Sequence, residues 1–193
     1  MNNQEHAEQL LGRIGSGIPL SKSTFAEFLK SPQDFFPNDM SASDLKEIRD
    51  SVFLMAAKTP EYQRLLYANS AYRVGEEYQG QLLSDKETIG AELRSAFDRG
   101  AITTDDLLAI ADGGRPAYDA NSLMSMLQHN GAGVGTAADA LAERLWTRNG
   151  NEGNDRVAAA TAFASDPDLM MKHLTTDPDL IDRGQGKDAR EAF

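Results

Sequence analysis

The chain has 193 residues, of which 30 are acidic and 19 basic, so its formal net charge is −11 at pH 7. This charge disfavours binding to a phosphate backbone, and the absence of Cys excludes disulfides and thiolate metal sites. No apolar run approaches the length of a membrane span, and the polar N-terminus has no basic start followed by an apolar run, so we expect neither a membrane span nor a cleaved signal peptide.

Apolar residues recur at three- and four-residue steps along nearly the whole chain, without alternating strand-like runs. We therefore predict an all-α fold, an irregular bundle of short helices. It forms a single domain over residues 1–193, with 1–80 and 81–193 as two halves that share a core and 184–193 as a flexible tail. In chain order, the predicted helices lie near 4–14, 23–30, 45–56, 62–72, 89–97, 103–112, 119–129, 137–146, 154–165 and 167–174.

A potential N-cap residue precedes proline at four points, a pairing typical of helix starts. These pairs are Ser31-Pro32, Thr59-Pro60, Asp166-Pro167 and Asp177-Pro178. The last two begin similar segments that each carry a second Asp after the proline, at Asp168 and Asp179. The four acidic residues suit the positive ends of two helices, and a calcium site is the alternative interpretation.

Residues 97–107 have the spacing of the second half of a calcium-binding helix-loop-helix. Such a loop carries oxygen ligands at its first, third and fifth positions, Gly at the sixth and an acidic residue at the twelfth. Gly100 at the sixth position places Asp106 at the twelfth. The residues at the three early ligand positions do not form a set that could bind calcium: Ser95, Phe97 and Arg99.

We therefore predict that this segment is a structural joint without an ion. Gly100 is expected to end one helix in a left-handed conformation, and Ile102 to pack into the core. Thr103 or Thr104, together with Asp106, is expected to start the next helix.

A second segment repeats part of this pattern. Met40-Ser41-Ala42-Ser43-Asp44-Leu45 places an apolar residue, a hydroxyl cap and Asp-Leu in the same order as residues 102–107. Aligning Met40 with Ile102 leaves the early ligand positions without a set that could bind calcium: Gln33, Phe35 and Pro37. The repetition favours two related helix-loop-helix modules.

Together, the proline-started helices and the turn Gly-x-Ile-Thr-x-x-Asp-Leu at residues 100–107 resemble helical modules with vestigial EF-hand loops. Such modules are repeated in translocator proteins that plant-associated bacteria export through type III secretion. The resemblance implies degenerate EF-hand-like elements and an exported protein. Because this chain lacks a long membrane-inserting segment, the resemblance favours an effector or accessory protein over a pore component.

The sequence shows no catalytic, cofactor-binding or metal-binding constellation. Its three histidines, His6, His129 and His173, are far apart and have no neighbour at metal-ligand spacing. There is no Gly-x-Ser-x-Gly elbow for a nucleophile. We interpret His129 as a residue at a helix C-terminus and His173 as a packed or surface residue.

Two polar or glycine-rich segments have a structural and a chemical interpretation. Residues 131–136 could form a phosphate loop, but they follow a predicted helix and not a strand, and they lack the Lys that reaches terminal phosphates. We therefore interpret them as a linker with Thr136 as an N-cap. Residues 149–155 are rich in oxygen ligands but lack the closing acid of a calcium loop. They are interpreted as a surface loop, with a weak calcium site as the alternative.

Four methionines near leucines are interpreted as core residues, and an adaptable groove for a partner helix is the alternative. They are Met124, Met126, Met170 and Met171.

The preferred hypothesis is a non-enzymatic protein whose partner is another protein, and which is a bacterial effector or accessory protein exported without a cleaved signal peptide. The first alternative is a cytoplasmic acidic immunity or adaptor protein that binds a basic partner. The second is an enzyme with an unrecognised helical site. Neither a cofactor nor a metal is expected.

Overall fold

The computed structural model describes residues 2–15, 22–36, 40–66, 76–113, 119–128, 136–148, 154–165, 168 and 171. Within these ranges the chain is all-α and has no strand, which confirms the predicted fold class. The α-helices are α1 (Asn3–Gly15), α2 (Lys22–Lys30), α3 (Ala42–Lys58), α4 (Pro60–Gln63), α5 (Glu76–Asp98), α6 (Thr104–Asp112), α7 (Asp119–Gln128), α8 (Thr136–Thr147) and α9 (Asn154–Ser165). Short 3₁₀ helices span Pro32–Phe35 and Arg64–Leu66.

Buried side chains from α1 to α9 form one hydrophobic cluster, and its largest fully buried members include Phe25, Phe28 and Phe53. Full burial of such a side chain contributes about 1.5–3 kcal/mol to folding. Helix α5 runs continuously through residue 80, α2 contacts α5, and α3 contacts α6. The division of the domain into halves at residue 80 stays a prediction.

The structure corrects one predicted helix start and the extent of one predicted helix. Ser31 makes no side-chain cap bond, because its φ of −138° and ψ of 65° depart from the extended conformation of an N-cap residue, and Pro32 begins a 3₁₀ helix. The helix predicted near 62–72 begins at Pro60, as the Thr59-Pro60 pair predicts, but its α-helical part ends at Gln63, where a 3₁₀ turn follows. Gln63 is buried there and donates a hydrogen bond to the carbonyl of Ala57 at 3.1 Å. Residues 67–75 lie outside the described part of the chain.

The joint between α5 and α6 has the structure that the sequence predicts. Gly100 has a φ of +70°, and its N–H donates to the carbonyl of Phe97 at 2.9 Å. The N–H of Ala101 donates to the carbonyl of Ala96 at 2.8 Å. These two bonds are a Schellman motif, which satisfies carbonyls at the end of α5 that have no partner within the helix.

The next residues of this joint begin α6. Ile102 is buried in the core. The Thr103 hydroxyl accepts a bond from the Asp106 N–H at 3.2 Å, and the Asp106 carboxylate accepts one from the Thr103 N–H at 2.8 Å. This reciprocal pair is a capping box, as predicted. The resemblance of the joint to an EF-hand element stays a prediction.

Helix α3 begins in a similar way. Met40 packs against the core, as Ile102 does, and the Ser41 hydroxyl accepts a bond from the Asp44 N–H at 3.1 Å. The Asp44 carboxylate accepts bonds from the Ser41 hydroxyl at 2.7 Å and from Asn3 Nδ2 at 3.2 Å. The bonds from Ser41 and Asn3 favour the charged form and lower the pKa of Asp44 below its usual 3.8.

This lowered pKa predicts a pH-dependent contribution of Asp44 to stability. A carboxylate whose pKa is lower in the folded state stabilises the fold above its unfolded pKa and loses that effect as the pH falls through its folded value. We expect the stability difference between the natural chain and the Asp44→Asn variant to be constant from about pH 5 to 7 and to shrink below about pH 3.8. Urea unfolding at several pH values measures this difference.

The companion variant is Ser41→Ala, which removes the hydroxyl that makes the largest contribution to the shift. In a Ser41→Ala background, the effect of Asp44→Asn should depend less on pH. A pH dependence equal to that in the natural chain would contradict the assignment of the shift to Ser41.

Candidate protein interface

Helix α9 lies at the surface of the bundle and packs on α7 and α8. Its inner face is built mainly from small residues, which allow its backbone to approach its neighbours closely. The Phe163 ring meets the Trp146 ring of α8 edge to face, with 5.4 Å between ring centroids. The buried apolar residues of α9 are Ala158, Ala159, Ala162 and Phe163.

The first turn of α9 carries a buried carboxylate that forms an ion pair with Arg148, the residue after α8. Asp155 is only 4% exposed, and its carboxylate lies 3.8 Å from the Arg148 guanidinium. The same guanidinium donates to the Asp112 carboxylate of α6 at 2.7 Å. This bond to Asp112 raises the pKa of Arg148. An acidic side chain is also favourable at the positive N-terminal end of a helix, so Asp155 suits its place on α9.

We call the outer surface of α9 the α9 face, and it comprises Val157, Ala160, Thr161 and Ala164. Val157 has 57% of its surface exposed, Thr161 and Ala164 are exposed, and Ala160 is half-buried. The Thr161 hydroxyl donates to the Val157 carbonyl at 2.8 Å, which directs this polar group toward the backbone of its own helix. The α9 face is therefore largely apolar.

Helix α9 has no charged residue from Val157 to its last residue, Ser165, although a quarter of the whole chain is charged. A helix on a protein surface normally has a polar outer side, whereas one that is apolar all round is normally buried. Helix α3 shows the usual arrangement, with Lys46 and Glu47 exposed opposite its buried stripe. From Val157 onward, the outer side of α9 therefore lacks the charged residues that the outer side of α3 carries.

The residues with possible metal or catalytic chemistry do not converge in the part of the chain that is described. The His6 ring meets the Phe36 ring edge to face, with 6.1 Å between centroids. His129 and His173 lie outside the described residues. Within the described ranges, no group of three or more His, Asp and Glu side chains could hold a metal ion.

The glycine-rich and oxygen-rich segments are described only at their C-terminal ends. Thr136 is the first residue of α8, and residues 131–135 lie outside the described ranges, as do 149–153. Asp155 is buried beside Arg148. Asp168 is exposed. The other three acidic residues of the proline-linked pairs are not among the described residues: Asp166, Asp177 and Asp179.

The methionines divide into buried and exposed residues. Met124 and Met126 on α7 are buried in the core, as their spacing predicts. Met171, in a helical position after α9, has 56% of its surface exposed. Met170 lies outside the described part of the chain. Met124 and Met126 therefore cannot line a surface groove for a partner.

A shallow surface depression of about 530 Å³ lies along one side of α5. Among the described residues that line it, Asp98 supplies the one carboxylate. Arg94 uses its guanidinium to donate to the carbonyls of Met126 and Leu127 at 3.0 and 3.1 Å. The described residues that line the depression are Ala91, Arg94, Ser95, Asp98 and Arg99.

The α9 face was missed by reasoning from the sequence, which identified residues 154–165 only as a short helix. The available signal was the uncharged run that begins at Val157 in a strongly acidic chain. Periodicity alone does not reveal such a face, because apolar residues on both sides of a helix cancel its amphipathic pattern.

Comparisons with known proteins give no match: no family model, no curated protein and no solved structure is similar to the chain. Within the described residues, no helix has both the length and the apolar character needed to cross a membrane.

Proposed function

We propose that the chain acts by binding another protein through the α9 face, without catalysing a reaction. The observation that carries this proposal is the uncharged outer side of α9, which exposes Val157 to solvent. Covering an apolar surface with a partner removes it from water and favours association. The packing of α9 on α7 and α8 and the ion pair between Asp155 and Arg148 support the proposal, because they orient α9 before a partner binds.

Export belongs to the same proposal. The protein is a bacterial effector or accessory protein that leaves the cell by a type III-like route, and the resemblance of residues 97–107 to vestigial EF-hand modules supports this. The test compares culture supernatants of a strain with an active secretion system and of one that lacks the secretion ATPase. Protein that remains inside the cells of both strains would count against export.

Replacing Val157 with Glu should weaken binding of the partner by at least about tenfold, because a charge must then be buried in an apolar interface. The partner is first captured with a photo-crosslinking residue at position 157 and identified by mass spectrometry. Its affinity for the natural chain and for the variant is then measured by calorimetry with both proteins purified.

The matched control is Ala109→Glu, which places the same charge at an exposed position of α6. This control should bind as the natural chain does, and both variants should keep its melting temperature. If the Val157→Glu variant and the natural chain bound the partner with equal affinity, the partner would not bind through the α9 face.

A second candidate function is a cytoplasmic acidic adaptor that binds a basic partner. The supporting observation is a group of carboxylates at the adjoining N-terminal turns of α1 and α3. Asn3 Nδ2 donates to Glu47 at 2.9 Å and to Asp44 at 3.2 Å, and Glu5 lies in the same first turn of α1. Binding through this group would weaken sharply with added salt and would be lost in Glu47→Lys but retained in Val157→Glu.

A further inference from the structure

The backbone of this bundle limits how a partner can bind the α9 face. A partner segment can add to a sheet edge, dock as a polyproline helix between aromatic side chains, or lay an amphipathic helix on an apolar surface. The described residues contain no strand that could accept a sheet partner. The α9 face contains no aromatic residue, so it lacks the side chains that grip a polyproline segment.

The spacing of the α9 face suits a helix. Val157, Thr161 and Ala164 follow one another at steps of four and three residues, so they form a single stripe along α9. Ala160 and Ala164 have small side chains that project little from α9, which allows a second helix to approach closely. A partner helix can then place larger apolar side chains over these positions, as ridges pack into grooves.

The charge of the chain selects among helical partners. A second copy carries the same net charge of −11, so the long-range interaction between two copies is repulsive. A helix flanked by Lys and Arg is attracted by the same field. Because Val157 to Ser165 carry no charge, the basic residues of such a helix belong at the edges of its contact with α9 and not at the centre.

From these observations we infer that the partner of the α9 face is an amphipathic α-helix of another protein, with an apolar stripe and basic flanks. This inference rests on the proposed function and specifies the chemistry of the partner. The apolar stripe provides the short-range contact with Val157 and Ala164. The basic flanks speed the approach to the acidic chain, and this part of the interaction is screened by salt.

The test uses three peptide libraries of about 15 residues, or about four helical turns. The first has an apolar helical stripe with Lys and Arg flanks, the second has the same stripe with Asp and Glu flanks, and the third is kept extended by repeated Pro. Peptides from each library are selected for binding to the full-length chain. The affinities of the selected peptides for the Val157→Glu and Ala109→Glu chains are then compared. We expect binders from the first library that become helical on binding and lose at least about tenfold in affinity for Val157→Glu alone.

The outcomes separate this inference from the function on which it rests. Binders that depend on Val157 but come from the acidic or the extended library would overturn the inference and leave the proposed function standing. Binders that Val157→Glu and Ala109→Glu affect equally would overturn both.

The absence of Cys from the chain provides a further check, since Val157→Cys introduces a single thiol. This thiol should react with a maleimide as fast as that of Ala109→Cys in the isolated chain, and slowly once a selected peptide is bound. Protection of the thiol in the isolated chain, with light scattering to distinguish a monomer from a dimer, would show that the chain or a second copy already covers the face, and would overturn the inference.

Discussion

Replacing Gly90 with Ala is expected to lower the free energy of unfolding by about 2–3 kcal/mol, because the new methyl group has no room. A Cβ atom at position 90 of α5 would lie 2.1 Å from the carbonyl oxygen of Met126 and 2.9 Å from its carbonyl carbon. These are backbone atoms of α7, which cannot rotate away as a side chain can. The two helices must separate, and this loss exceeds the gain of about 1 kcal/mol that Ala offers over Gly inside a helix.

The matched control is Gly12→Ala in α1, where a Cβ atom would meet nothing within 4 Å. This variant should be more stable than the natural chain by up to about 1 kcal/mol, because Ala loses less backbone entropy on folding. Urea unfolding followed by circular dichroism measures both changes. If Gly90→Ala were also stabilising, α5 and α7 could not approach each other as closely as the structure shows.

Replacing Ile102 with Ala should cost about 3 kcal/mol of stability, a typical value for a large apolar side chain removed from a packed core. Ile102 is 1% exposed and stands between the Schellman turn at Gly100 and the cap at Thr103. Its removal leaves a cavity where α5 and α6 meet. The free energy of unfolding is again measured with urea.

The graded control is Ile102→Val, which deletes one methyl group and should cost about 1 kcal/mol. A cost for Ile102→Ala no larger than that for Ile102→Val would mean that the site is loosely packed. In that case the joint would be held by its hydrogen bonds and not by its buried residue.

The joint between α5 and α6 was predictable because its determinants are local. A left-handed turn selects Gly100, and a capping box needs a hydroxyl at Thr103 and a carboxylate at Asp106, so the short sequence contains most of the information. The burial of Ile102 follows from its position between these two motifs. The similar start of α3 was predictable for the same reason.

Features that depend on distant residues were not predictable. Ser31 precedes Pro32 as an N-cap residue would, but the path of the chain gives it a different backbone conformation. The early end of α4 accompanies a bond from Gln63 back to Ala57 of the preceding helix. Such contacts depend on how the helices are arranged, which periodicity does not encode.

The α9 face was unpredictable because the sequence does not show which side of an apolar helix is covered. Ala158 and Ala162 are buried, whereas Val157 is largely exposed, although the chain between them is chemically uniform. Only the positions of α7 and α8 distinguish the two sides. The burial of Asp155 likewise follows from the placement of Arg148 and Asp112.

The attachment of Asp155 to Arg148 has a consequence for the kinetics of binding. When a partner meets a helix that already has its bound orientation, this chain does not need to rearrange before binding. Ordering of the helix then costs little entropy. The observed rate of association should therefore rise linearly with partner concentration, without a plateau set by a slow opening step. Any slow phase would belong to the folding of the partner's own helix.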